Sequence, residues 1–163
     1  MNRVGKISLR LPNLFLTISF FFFLQWVGTK YLRINKIAPD FILIFLIFFS
    51  LYTGGMFAIS LAFGAGLLQD ILFRGLIGTN SFSFCLISYL IGLLKNKWEI
   101  KESFHSQITL VFLGSFLYII FSALFYQNPW ALGLLIPKIL IFSIYNSLLF
   151  SLLFWGLKRT LYG

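Results

Sequence analysis

The sequence predicts an all-α, polytopic membrane protein with a bundle of six transmembrane helices, and three observations lead to this fold class. Of its 163 residues, 60% are hydrophobic and only 10% are charged, too few charges to cover a soluble domain of this size. The mean hydropathy is +0.94. The apolar runs approach the roughly 20 residues that span a hydrocarbon core of about 30 Å. Cationic residues fall almost wholly between those runs, where they orient helices and contact membrane lipids.

The first two predicted helices lie on either side of a short polar connection. Residues 11–27 read LPNLFLTISFFFFLQWV and follow three cations, as in a signal peptide, but no small-x-small cleavage site comes after them. We therefore expect a retained first helix. The second helix, at about 40–52, is preceded by Pro39 and opens with Asp40. A carboxylate at that point favours the helix dipole as a cap, and a contact with a partner is the alternative.

Small residues dominate one face of each of the next two helices, predicted at about 55–73 and 81–94. Apolar burial does not drive helices together in lipid, whereas close approach along small-residue faces does. We therefore expect the two faces to pack against each other. At spacings of three and four, these faces carry Gly55, Ala58, Ala62, Ala65 and Gln69 on the third helix and Ser81, Cys85, Ser88 and Gly92 on the fourth.

An acid and a base lie close together at the end of the third helix. One interpretation pairs Asp70 with Arg74, four residues later, as an interfacial ion pair. The other gives Asp70, together with Gln69, a polar contact to another helix or a partner protein, because ionisable groups at membrane depth are functional candidates. Both interpretations can hold together.

The turn that follows is rich in glycine and small polar residues. Gly75 and Gly78 permit a positive φ there. Thr79, Asn80 or Ser81 is then placed to cap the fourth helix. The pattern predicts a helix hairpin.

The last two predicted helices, at about 107–126 and 137–157, are long apolar runs. Pro137 is expected at the start of the sixth helix, since a first turn tolerates proline. Asn146 lies deep in that helix, where an amide usually bonds a neighbouring helix, and a ligand or partner contact is the alternative. Lys138 is expected to extend its ammonium outward to the interface.

The connections between these helices are too short for a soluble domain, so residues 1–163 are predicted to form a single integral membrane domain. With the N-terminus inside, eight cations lie on the inner side and five on the outer side, which favours an orientation with both termini in the cytoplasm. The inner set is Arg3, Lys6, Arg10, Lys95, Lys97, Lys101, Lys158 and Arg159, and the outer set is Lys30, Arg33, Lys36, Arg74 and Lys138.

Catalytic and metal-binding chemistry is not expected from this composition. The chain has four acids, one histidine and one cysteine, and no two acids share an apolar helix at the spacing of metal ligands. It contains no GxSxG, HExxH or phosphate-binding glycine motif. We therefore predict a non-enzyme without cofactor or metal. The net charge of +9 is not accompanied by nucleic-acid recognition chemistry, so no nucleic-acid partner is predicted.

Three long stretches carry a family pattern. IAPDFILIFLIFFSLYTG opens the second helix, FAISLAFGAGLLQDILFRGLIGTNSFSFCLISYLIGLL covers the third and fourth, and IPKILIFSIYNSLLFSLLF forms much of the sixth. Together they resemble the MreD family of rod shape-determining membrane proteins, although Phe73 and Arg74 replace the small polar residues that are more usual after the aspartate. The candidate packing or partner-binding residues are Pro39, Asp40, Gly66, Gln69, Asp70, Gly75, Gly78, Asn80 and Asn146.

The resemblance implies a non-catalytic scaffold of the bacterial elongation machinery, located in the inner membrane and maintaining rod cell shape. Its implied partner is the transmembrane helix of MreC. Its implied neighbours are MreB filaments and the shape-type glycosyltransferase and transpeptidase of peptidoglycan synthesis. The implied fold is similar to the six-helix substrate-binding subunits of energy-coupling-factor transporters.

That implied fold supplies the alternative function, a vitamin-binding subunit of an energy-coupling-factor transporter. Such subunits resemble one another in an Ala-x-x-x-Ala face on the first helix, whereas the first helix here carries bulky phenylalanines. Asn128, Trp130 and Lys138 are the candidates for lining a ligand pocket. The scaffold is the favoured interpretation.

Overall fold

The described part of the chain is entirely helical apart from its connections. The computed structural model describes residues 11–34, 37–73, 76–95, 103–125 and 132–162. Within these ranges the only β-type pairing is one isolated bridge between Ile34 and Ile37. The six helices are α1 Leu11–Tyr31, α2 Phe41–Tyr52, α3 Gly55–Phe73, α4 Thr79–Lys95, α5 Phe104–Phe125 and α6 Leu132–Tyr162. The predicted all-α fold is confirmed.

The largest differences from the predicted helix boundaries lie at the two ends of α6, which extends five residues farther in each direction than predicted. This helix begins at Leu132, so Pro137 lies inside it and the prediction that Pro137 opens the helix was wrong. The apolar residues before the proline continue the helix by one turn. The absent proline N–H then leaves the carbonyl of Gly133 without its usual helical donor.

Helix α2 is the centre of the bundle and contacts all five other helices. Every residue from Phe41 to Leu51 is buried, as expected for a helix that is hydrophobic all round. Aromatic contacts join it to its neighbours, with ring centroids 5.1 Å apart for Phe45 and Phe21 and 6.2 Å apart for Phe48 and Phe150. Its 12 residues give a length of about 18 Å, well short of a hydrocarbon core of roughly 30 Å.

Four of the six helices are long and apolar enough to cross a membrane, whereas α2 and α4 are shorter apolar helices. Between 22% and 33% of each long span is buried inside the protein. The remaining faces present large apolar side chains, among them Phe15, Met56 and Leu152. An apolar surface this extensive faces lipid, so the chain is a multi-pass membrane protein. The candidate spans are Leu14–Tyr31, Gly55–Phe73, Phe104–Phe125 and Ile136–Leu157.

The small-residue faces of α3 and α4 pack against each other, which confirms the predicted hairpin. Ala58 and Ala62 have no exposed surface. A Cβ placed on Gly66 would lie 2.4 Å from the Cα of Ser81, so the two backbones touch there without an intervening side chain. Farther along the pair, a Cβ on Gly92 would lie 3.9 Å from the backbone nitrogen of Gly55.

Positive backbone angles occur at both ends of α3. Gly78, in the turn before α4, has a φ of 100°, as predicted, while Gly75 lies outside the described residues. Gly54 and Gly55, between α2 and α3, have φ values of 62° and 68°. These angles let the chain reverse within a few residues at each end of the helix.

Replacing Gly66 by alanine should destabilise the bundle by about 1–3 kcal/mol, because the added methyl group must displace the backbone of α4. The matched control is Gly64→Ala on the same helix, where the added Cβ meets nothing within 4 Å. That control should be neutral or more stable by up to about 1 kcal/mol, since alanine is the better helix former. Denaturant titration of both variants in detergent micelles measures the difference, and equal stabilities would contradict the close α3–α4 contact.

Candidate functional site

Asp40 lies at the N-terminus of α2 and binds three parts of the bundle at once. Its Oδ1 accepts a hydrogen bond from the backbone N–H of Leu43 at 3.0 Å, which confirms the predicted cap. Its Oδ2 accepts from Nε2 of Gln69 on α3 at 2.9 Å. Its own backbone N–H donates to Oδ1 of Asn146 on α6 at 3.1 Å. The residue is 3% exposed, so one acid joins three helices inside the protein.

Two further side chains extend this network to α1 and α5. Oε1 of Gln25 accepts from the backbone N–H of Phe41 at 2.7 Å, and its Nε2 donates to the carbonyl of Pro39 at 3.5 Å. The Nδ2 of Asn146 donates to Oγ of Ser115 at 3.0 Å, which confirms that this amide bonds a neighbouring helix. We call Gln25, Asp40, Gln69, Ser115 and Asn146 the Asp40 network.

Gln25 and Ser115 were missed by the sequence analysis, although one of them leaves a signal. Gln25 is an amide within an otherwise apolar run, and such an amide normally bonds another helix. Ser115 leaves no comparable signal, because serine satisfies its hydroxyl within its own helix as readily as across helices.

Asp70 binds the N-terminus of α4 from the end of α3. Its Oδ2 accepts from the backbone N–H of Gly78 at 2.8 Å, and its Oδ1 accepts from that of Asn80 at 3.3 Å. Free N–H groups at a helix N-terminus need such acceptors, and Asp70 is 1% exposed. Arg74 lies outside the described residues, so the predicted ion pair between Asp70 and Arg74 stays a prediction.

The prediction that Thr79, Asn80 or Ser81 caps α4 was wrong. The helix begins at Thr79, two residues earlier than predicted, so all three side chains belong to its first turn. The preceding Gly78 has no side chain to act as a cap, and the carboxylate of Asp70 takes that role. The side chain of Asn80 is used elsewhere, since its Oδ1 accepts from the hydroxyl of Tyr118 on α5 at 2.7 Å.

A polar cavity of about 220 Å³ lies beside the Asp40 network. All six helices, or the residues just before them, contribute to its wall. Its principal polar lining residues are Gln25, Asp40, Gln69, Asn80, Tyr118 and Ser122. The cavity therefore brings together four of the candidate residues from the sequence: Pro39, Asp40, Gln69 and Asn80.

An apolar groove lies at the other end of the bundle, between the first half of α1 and the last part of α6. It has a volume of about 270 Å³. A Cβ on Gly156 would meet nothing within 4 Å, so a neighbouring helix can approach closely there. We call this surface the α1–α6 groove; it is lined by Leu16, Thr17, Phe20, Phe21, Leu153, Gly156 and Leu157.

The remaining candidates lie apart from both surfaces. Lys138 is exposed near the start of α6, as predicted for a side chain that reaches the interface. Cys85 is half-buried on α4, with Sγ 3.6 Å from the carbonyl of Ile59. Asn128 and Trp130 lie outside the described residues. Among the described residues, no group of three or more His, Cys, Asp or Glu side chains could hold a metal ion.

A short buried helix is surrounded by longer apolar helices, and carboxylates and amides join one helix to another. These features define a multi-pass membrane protein organised around helix packing. The model of the family described as rod shape-determining protein MreD matches residues 7–162, nearly the whole chain. The chain belongs to the MreD family. No curated protein and no solved structure matches it, so the similarity to energy-coupling-factor subunits stays a prediction.

Removing the carboxylate of Asp70 should destabilise the α3–α4 hairpin. Asp70→Ala leaves two part-buried N–H groups, those of Gly78 and Asn80, without acceptors, at a cost of about 1–3 kcal/mol. Asp70→Asn retains one acceptor oxygen and should lose less than half as much. Thermal unfolding of the two variants in the same detergent gives the comparison. Equal losses would show that the charge of Asp70, rather than its bonds to Gly78 and Asn80, stabilises the turn.

Proposed function

We propose that this protein is a non-catalytic scaffold of the rod-shape machinery in the bacterial plasma membrane. The observation that carries the proposal is the match to the rod shape-determining MreD family over residues 7–162. Its partner is the transmembrane helix of the single-pass protein MreC, and through MreC it connects peptidoglycan synthesis to MreB filaments. The peptidoglycan glycosyltransferase and transpeptidase are its neighbours in the membrane.

The bonding of the buried acids supports a structural role. Asp40 and Asp70 each accept two hydrogen bonds that cap helices or join them. A carboxylate bound in this way stabilises the bundle and is not poised to move a proton. Among the described residues, both buried carboxylates are therefore engaged in joining or capping helices.

The α1–α6 groove is the proposed docking surface for MreC. A partner that crosses the bilayer does so as an apolar helix, because its backbone must be satisfied internally. Such a helix binds through shape and close approach. The groove offers both, since it is concave and apolar and has Gly156 on its wall. It also lies toward the start of α1 and the end of α6, the cytoplasmic end in the orientation proposed here.

That orientation places both termini in the cytoplasm and the Asp40 network toward the outer surface. An interfacial cluster at the end of α1 marks that end of the helix as a membrane interface. The ammonium of Lys30 lies 5.8 Å from the ring centroid of Trp26 and 5.2 Å from that of Tyr31. Aromatic and basic side chains of this kind anchor a helix end at the membrane interface.

Filling the α1–α6 groove should release MreC. Gly156→Leu places a branched side chain where the partner helix approaches, and an overpacked contact of about 1–3 kcal/mol lowers affinity roughly 5- to 150-fold. The measurement is the amount of MreC that copurifies with the affinity-tagged protein, together with cell shape in a strain whose only copy is the variant. We expect loss of MreC and rounded cells.

The matched control for this experiment is Gly64→Leu. Gly64 is also an exposed helical glycine with nothing within 4 Å of its Cβ position, but it lies on the outer face of α3. The substitution adds the same volume and should retain MreC. If MreC were lost from the Gly64→Leu variant but not from Gly156→Leu, the docking surface would lie on α3. That result would contradict the proposal that MreC binds the α1–α6 groove.

The orientation has its own test. A fluorescent protein fused after Gly163 should fluoresce in the cytoplasm, and alkaline phosphatase fused at the same point should be inactive, because it folds only after export. A fusion after Ile34, between α1 and α2, should give the opposite pair of results. Active phosphatase after Gly163 would overturn the proposed orientation.

A further inference from the structure

The polar cavity contains a hydrogen-bond acceptor that the described residues leave unsatisfied. Nε2 of Gln69 must face Asp40, because a carboxylate only accepts hydrogen bonds. The amide oxygen of Gln69 is then left buried without a donor, in a side chain that is 5% exposed. A buried acceptor without a partner is destabilising. Its position in the wall of a cavity therefore points to a donor supplied from outside the chain.

The charge of the cavity wall favours a hydrogen-bond donor that is also a cation. Asp40 is the only acid among the described lining residues, and none of those residues is a lysine or an arginine. The groups that approach its carboxylate, among them the N–H of Leu43, the amide of Gln69 and the hydroxyl of Tyr118, are all neutral. A buried carboxylate is stabilised when a cation pairs with it.

The cavity is accessible and large enough for a small organic group. Its volume of about 220 Å³ far exceeds the roughly 10–15 Å³ that a single water requires by the same measure. The rim includes the half-buried residues Thr29, Phe73 and Ser122. The hydroxyl of Ser122 adds a polar partner at the entrance.

We propose that this cavity binds a primary ammonium group on a short hydroxylated or phosphorylated chain. The three N–H donors of an ammonium match the carboxylate of Asp40 and the unsatisfied oxygen of Gln69. The group is carried either by a free aminoalcohol or by the aminoethyl headgroup of a lipid. The site lies at the opposite end of the bundle from the α1–α6 groove, so it does not depend on the docking of MreC.

The test uses the full chain in nanodiscs of phosphatidylcholine, a lipid without N–H donors in its headgroup. The melting temperature is followed as ethanolamine is added at constant ionic strength. A ligand that binds only the folded state raises this temperature in a saturable way. Choline is the matched control, because it has the same charge but no N–H group. We expect the melting temperature to rise with ethanolamine and to stay unchanged with choline or sodium chloride.

Substitutions in the wall of the polar cavity test whether ethanolamine binds there. Asp40→Asn retains an acceptor for the N–H of Leu43 and removes the charge, so the apparent affinity for ethanolamine should fall about tenfold or more. Gln69→Met should weaken binding as well. Gln107→Met is the control, since Gln107 is equally buried but its Nε2 donates to Tyr52, away from the cavity.

A second part of the experiment distinguishes the two sources of the ammonium group, a lipid headgroup and a free amine. If phosphatidylethanolamine in the nanodiscs raises the melting temperature and abolishes the response to ethanolamine, the headgroup is the ligand. If the response to ethanolamine persists in those discs, the ligand is a free amine. An equal response to choline or sodium, no response to either amine source, or equal losses in Gln69→Met and Gln107→Met would each overturn the proposal.

Discussion

Inside a bilayer, the polar groups of a helix bundle need hydrogen-bond partners from the protein itself, because lipid supplies none. At the N-terminus of α2, the Asp40 network supplies these partners. The first turn of a helix leaves N–H groups without acceptors. Here the side chains of Gln25, Asp40 and Asn146 accept three of them, from Phe41, Leu43 and Asp40. Because those side chains come from different helices, satisfying α2 also fixes the positions of α1 and α6 around it.

The same need for internal hydrogen-bond partners makes the two ends of the molecule different in polarity. At the Asp40 end, helix termini converge, carboxylates and amides bridge them, and a polar cavity remains between them. At the other end, α1 and α6 present an apolar groove. The short α2 connects the two as a buried rod that contacts every other helix. A scaffold of this form keeps its outer apolar faces for neighbours in the membrane, because the helix-joining bonds of the Asp40 network are made inside the bundle.

The sequence predicts those features that depend on neighbouring residues. Helix order follows from hydropathy, the α3–α4 contact follows from small residues at helical spacing, and the Asp40 cap joins groups three residues apart. Other features depend on distant parts of the chain. Asp70 reaches Gly78 and Asn80 only because α3 and α4 reverse direction, and no local pattern brings Gln69 to Asp40. The start of α6 was misplaced because a membrane helix tolerates an interior proline when other groups satisfy the freed carbonyl, and no local pattern separates that case from a proline in the first turn.

The bond between Asp40 and Asn146 has a consequence for how the protein is made. Its two partners are 106 residues apart, and translation delivers α2 to the membrane well before α6, because a chain is synthesised from its N-terminus. Until the last helix arrives, the N–H of Asp40 lacks its acceptor and α2 lacks one wall. The nascent chain therefore waits as an unclosed assembly of helices. Completion of the bundle therefore requires the sixth helix, and a chain truncated before Asn146 lacks the acceptor for the N–H of Asp40.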